Sequence, residues 1–162
     1  MTFQSDARIH QFTSESYFRD TFTTLIENRG ESAMEVYLRL VSTTPSWVNQ
    51  LMDARNRIVG LFGLKNLGRL TDVLPNKTAN EYQAGDMVGI FSLHSISDRE
   101  VIMEDDDKHL NVKVSLFLED KGEYTKVYAT TTVHVYNMLG RAYMFFVTPA
   151  HKVIVPASLK NL

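Results

Sequence analysis

Hydrophobic and polar positions change rhythm twice along this chain. Phe18, Phe22 and Ile26 alternate imperfectly with polar residues in a stretch rich in Thr and aromatics, which predicts a first strand over about residues 16–27, closed by Asn28-Arg29-Gly30. The period then lengthens. Ala33, Met34, Val36, Tyr37, Leu38, Leu40 and Val41 fall in one arc at 100° per residue, with Glu35 and Arg39 opposite. Ser32-Ala33-Met34-Glu35 has the capping-box pattern, in which the serine accepts from an early helix N–H and the glutamate reaches back. A second helix is expected after Thr44-Pro45, with Thr as N-cap and Pro at the first helical position, ending near Gly63.

From about residue 85 the period shortens to two. Four strands are predicted: MVGIFSLHSI at 87–96, EVIM at 100–103, HLNVKVSLFL at 109–118 and YTKVYATTTVHVYN at 124–137. Leu110, Val112, Val114, Leu116 and Leu118 share one face of the third, and Val127, Ala129, Thr131, Val133 and Val135 one face of the fourth. Long strands with short connections make an antiparallel meander. In the tail, Leu139, Ala142, Tyr143, Phe146, Val147, Ala150, Val153, Ile154 and Ala157 return to helical spacing behind Asn137, a good N-cap, so a C-terminal helix is expected. Pro149 and Pro156 argue for a kink or an end within it. The fold class is α+β, in the order β-α-α-β-β-β-β-α.

A chain of 162 residues is one ordinary domain, and no linker, repeat or low-complexity tract divides 1–162. Its net charge of −2 gives no basic field for a nucleic-acid backbone. The absence of cysteine excludes a thiol nucleophile, a Cys-based zinc site and a disulfide scaffold. No leader pattern and no apolar run near the ~20 residues of a membrane span is present, so a cytoplasmic protein is expected, with no membrane or nucleic-acid partner.

Candidate chemistry is sparse. Arg55 falls inside the apolar arc of the second helix, among Leu61, Ala54, Trp47, Ile58, Leu51, Phe62, Val48, Val59 and Met52. A guanidinium keeps its charge when buried, so it needs a carboxylate, backbone carbonyls or an anionic ligand. MEDDDKHL at 103–110 reads first as a hairpin loop built on Asp105-Asp106-Asp107-Lys108. If the next strand begins early, Asp105, Asp107 and His109 share one side, and one of the acids could partner Arg55. The spacing matches neither an EF-hand nor a zinc motif, so no metal is expected. His94, His134 and His151 read individually as structural histidines. No strand–GxSxG–helix elbow, HExxH motif or P-loop is present.

Three stretches carry a resemblance: PSWVNQLMDARNRIVGLFGLK at 45–65, GDMVGIFSLHSISDREVIMEDDDKHLNVKVSL at 85–116 and TTTVHVYNMLGRAYMFFVTPAHKVIV at 131–155. Together they resemble an uncharacterised, mainly bacterial family, number 2867 among the domains of unknown function. The resemblance implies a START-like, helix-grip fold, in which an antiparallel sheet wraps a long C-terminal helix and commonly leaves an apolar cavity between them. It also implies an association with NAD(P)-dependent oxidoreductases, since related domains occur fused behind them. This chain itself has no strand–GxGxxG–helix unit to hold a dinucleotide.

The expected function is noncatalytic binding of a small, largely apolar or amphipathic molecule between sheet and C-terminal helix, without a cofactor. Arg55 would engage its polar end, with Trp47, Asp106, His109, His134 and Tyr143 as further candidates. One alternative is a cyclase, hydratase or isomerase in the same pocket, with Asp106 or a histidine moving protons. Another is an interaction module whose interior is filled by its own aromatics, Phe145 and Phe146 among them.

Overall fold

The structure, a computed structural model, describes residues 6–61, 63, 66, 73 and 76–162. Among them lie strands β1 (Phe18–Glu27), β2 (Met87–Val88), β3 (Phe91–Ile96), β4 (Glu100–Asp106), β5 (Leu110–Asp120) and β6 (Tyr124–Val135). The helices are α1 (Ala33–Ser42), α2 (Ser46–Gly60) and α3 (Met138–Leu159). All six strands form one open antiparallel sheet in the order β1-β6-β5-β4-β3-β2, so the first strand pairs with the last, Phe18 opposite Val133.

The helices begin where their caps dictate. The Ser32 side chain accepts from the Glu35 N–H while Glu35 Oε2 accepts from the Ser32 N–H at 2.6 Å, which completes the expected capping box of α1. Asn137 caps α3 by accepting from the Gly140 N–H at 3.1 Å. α3 runs unbroken through Pro149 and Pro156. α2 departs from expectation: Pro45 is its N-cap, and the Thr44 hydroxyl donates back to the Leu40 carbonyl at 3.0 Å, finishing α1 instead.

Two strand boundaries also differ. The predicted strand at 87–96 is two strands, β2 and β3, because Gly89 adopts φ 64° at the first position of a two-residue hairpin turn. The strand predicted as 100–103 continues to Asp106, its ladder with β5 pairing Asp105 with Val112 and Asp106 with Asn111. Backbone pairing outweighs the turn preference of aspartate here.

The sheet has an inner face, covered by α1 and α3, and an outer face. At one end of the inner face Leu93, Val101, Met103, Leu116, Leu118, Val127 and Ala129 pack against Ala33, Met34, Val36, Tyr37 and Val41 of α1 and Leu159 of α3. Each fully buried Val, Leu or Met there contributes about 1.5–3 kcal/mol. At the other end Leu110, Val133 and Met144 gather Phe18, Val112, Val135 and Tyr143. On the outer face the N-terminal segment lays Ala7, Ile9 and Phe12 over Ile102, Phe117 and Tyr128.

Candidate functional site

On α2, Val48 and Val59 are buried and Met52 and Arg55 half-buried, one stripe at spacings of four and three. Trp47, Leu51, Ala54, Ile58 and Leu61 form the neighbouring stripe and are exposed. The apolar arc expected to bury Arg55 is therefore split, and Trp47 belongs to its outward half; Phe62 lies outside the described residues. Arg55 faces α3. Its Nε donates to the Tyr143 hydroxyl at 2.9 Å and its Nη1 to Asn56 Oδ1 at 2.9 Å, with the guanidinium carbon 5.3 Å from the Tyr143 ring centre. Arg55 and Tyr143, two of the expected site residues, are thus brought together.

The acidic run divides three ways. Asp105 is buried on the inner face of β4, Asp106 lies on the outer face, and residues 107–109 make the turn. The turn grips the start of α3. Asn137 Nδ2 donates to the Lys108 carbonyl at 3.3 Å, the Asn137 side chain meets His109 Nδ1 at 2.9 Å, and the Tyr136 N–H donates to the His109 carbonyl at 3.0 Å. The Tyr136 hydroxyl donates to Asp106 Oδ1 at 3.1 Å; burial first, then this bond, holds its pKa above the ordinary phenol value. Gly140 is required by the same approach, since a Cβ there would stand 2.3 Å from the His109 carbonyl oxygen. Asp106 and His109 therefore anchor the helix. Among the described residues no group of three or more His, Asp or Glu could hold a metal ion.

His134 lies on the outer face of β6, its Nε2 3.3 Å from the Ser14 carbonyl, so the sheet separates it from Arg55 and Tyr143. The grouping of His134 with those two residues is corrected accordingly. Phe145 and Phe146 are each 76% exposed and stack edge to face with each other, so they do not fill the interior.

α3 is fastened at both ends. Its first turn sits on the β4–β5 turn; at its far end Leu159 is buried beside α1, and Asn161 Nδ2 donates to the Thr43 carbonyl at 2.9 Å. Between them Tyr143, Val147, Ala150, His151 and Ile154 are half-buried, Met144 being fully covered. The sheet below repeats this. Val112 and Val114, inner-face residues of the central strand β5, keep accessible surface, whereas Asn111, Lys113 and Ser115 on its outer face are buried. An apolar inner row is less covered than the polar row behind it.

Sequence reasoning read His151 as structural and passed over Asp20. The structure pairs them on the inner face: His151 Nε2 lies 3.1 Å from Asp20 Oδ1, with side chains 18% and 16% exposed respectively. The rings of Phe18 and Phe22 flank the imidazole at 5.7 and 6.2 Å. A signal did exist. Period two places Asp20 on the same side of β1 as Phe18, Phe22 and Ile26, a charge on an otherwise buried-facing row.

These features define an α+β domain in which an open six-stranded antiparallel sheet carries a C-terminal helix across one face. The chain belongs to the family described as "Protein of unknown function (DUF2867)", whose model matches residues 12–158. Among solved structures it is similar to the Mll3558 protein from Rhizobium loti at 12% identity, over 90% of this chain and 98% of that one, with a TM-score of 0.41, an overlap that carries no argument. No curated protein matches the chain. Among the described residues no helix is long and apolar enough to cross a membrane.

Proposed function

We propose that this is a helix-grip, START-like domain that binds a small, largely apolar molecule between the inner face of its sheet and α3. The observation that carries the reading is the half-burial of Val112 and Val114 on the sheet face that carries α3, a helix fastened at both ends. A well-packed interior leaves few voids, and apolar side chains at its centre are normally covered first. Arg55 and Tyr143 sit where α2 meets α3 and would take the polar end of the ligand. The test is native mass spectrometry on protein purified gently from its own cells, with Arg55→Ala alongside. A reproducible extra mass of a few hundred daltons, reduced in Arg55→Ala at unchanged melting temperature, is the expected result. A clean protein mass, with no uptake of added hydrophobic molecules, overturns the reading.

A second reading has its own observation. Trp47, Leu51 and Ile58 on α2, Leu61 just past its end, and Met138, Phe145, Phe146 and Val153 on α3 are exposed, more large apolar surface than two helices ordinarily leave to water. An interaction module is the function that surface supports. Concentration-dependent self-association in light scattering, abolished by Phe145→Ser/Phe146→Ser, would favour it.

A further inference from the structure

Resting on that reading, we infer that the Asp20–His151 pair recognises a hydroxyl group, so that the molecule held is an apolar alcohol or phenol. The pair lies on the inner face, in the same cross-strand row as Thr131 and Val114, so it stands at the side of the half-covered valines. One carboxylate oxygen, Asp20 Oδ1, is engaged by His151 at 3.1 Å. The other, Oδ2, is buried and takes no hydrogen bond in the structure. A buried carboxylate oxygen without a donor costs more than almost any other unmade bond, so a donor belongs there.

The surroundings specify what kind of donor. The imidazole reaches Asp20 through Nε2 alone and at Oδ1, so it supplies no donor to Oδ2. Phe18 and Phe22 wall the pair, with Thr131 opposite Asp20 and Val114 one strand beyond, so the body carrying the donor must be largely apolar. A carboxylate ligand would meet Asp20 with like charge, and an ammonium would be stripped of water against phenylalanine and valine. A hydroxyl donates one proton, carries no charge and suits both constraints. Tyr143, to which Arg55 of α2 donates, lies eight residues back along α3 from His151, about 12 Å at the helical rise, which separates this contact from the one at the α2–α3 junction.

The experiment compares 2-naphthol with naphthalene by equilibrium dialysis against the full chain, then against Asp20→Leu and the double variant Asp20→Leu/His151→Phe. The double variant replaces the Asp–His pair by apolar groups of similar size, an exchange that buried polar pairs often tolerate without loss of stability, and circular dichroism confirms its fold. The expected result is that the native chain prefers the naphthol about tenfold or more, the worth of one charge-assisted bond, and that both variants bind the two compounds alike. Equal binding of the two compounds by the native chain overturns the hydroxyl inference and leaves the apolar site standing. A preference that survives in the variants does the same, because the donor would then be met elsewhere. Failure of the native chain to bind either compound up to its solubility overturns both the inference and the binding reading beneath it.

Discussion

The two faces of strand β5 make opposite use of their residues. The outer row, Asn111, Lys113, Ser115, Phe117 and Glu119, is largely polar yet buried; the inner row is wholly apolar, yet Val112 and Val114 are only half covered. The outer row is buried because every charge on it is answered. Glu100 accepts the Arg8 N–H at 2.6 Å, the Ile9 N–H at 3.2 Å and the Ser115 hydroxyl at 2.6 Å, which pins the N-terminal segment over the sheet. Lys113 donates to Asn111 Oδ1 and to Glu104 Oε2, each at 2.7 Å, beneath the ring of Phe12. Hydrophobicity alone therefore does not say which side of this sheet is closed. Closure follows from what the chain has placed on top: a fitted segment outside, a helix fastened at its ends inside.

The largest expected effect comes from Gly140→Ala, which attacks the fastening of α3. Alanine favours helices by up to about 1 kcal/mol over glycine, but its Cβ would stand only 2.3 Å from the His109 carbonyl oxygen, and that backbone group cannot move aside cheaply. A loss of about 2–3 kcal/mol in urea unfolding is expected, as for an overpacked core; an unchanged midpoint would show that the turn and helix are not held together.

Next comes Lys113→Met, which leaves Glu104 without its cation on the outer face and is expected to cost about 2 kcal/mol. The same pair predicts an acid limb. Burial pushes the Glu104 carboxyl up, but bonds from Lys113 and Asn111 outweigh it and hold the pKa below its ordinary 4.5. A lowered folded pKa gives stability that is present above 4.5 and lost as pH falls through the folded value. Glu119, lowered by Lys121 and Tyr128, acts in the same window. Stability measured from about pH 6 down to about pH 2 should fall less steeply in Glu104→Gln than in the native chain.

The smallest effect sharpens the comparison within the inner face itself. Val127→Ile adds one methylene in the closed end beneath α1 and should cost about 1 kcal/mol, whereas Val114→Ile should change stability by no more than about 0.5 kcal/mol. Equal costs at the two positions would mean that the centre of β5 is as tightly filled as the end.

Much of this arrangement was legible in the amino-acid pattern because local chemistry decided it. The capping box at Ser32, the Asn137 cap, the period-two strands and the long final helix each follow from neighbours a few residues apart. What escaped notice depended on distant segments. Asp105 joins a strand because Val112 is there to pair with it, and the α2 arc divides because only one of its stripes meets the body of the domain. Of the candidate residues, Arg55 and Tyr143 converge, His109 and Asp106 turn out to hold the helix, and His134 is on the other side of the sheet. Asp20 was missed although it breaks a buried-facing row in the same way that Arg55 does, because a single charge near the edge of a strand gives no hint of a histidine far along the chain.

The pairing of β1 with β6 has a consequence for how the molecule comes into being. On the ribosome β1 has no partner until β6 has been made, while β3 to β6 can zip hairpin by hairpin as they appear. The meander is then the natural nucleus, and β1, carrying Asp20, is added to its open edge at the end. Asp20 and His151 come from that late-added strand and the last helix, so a newly made chain builds the meander before these two side chains meet.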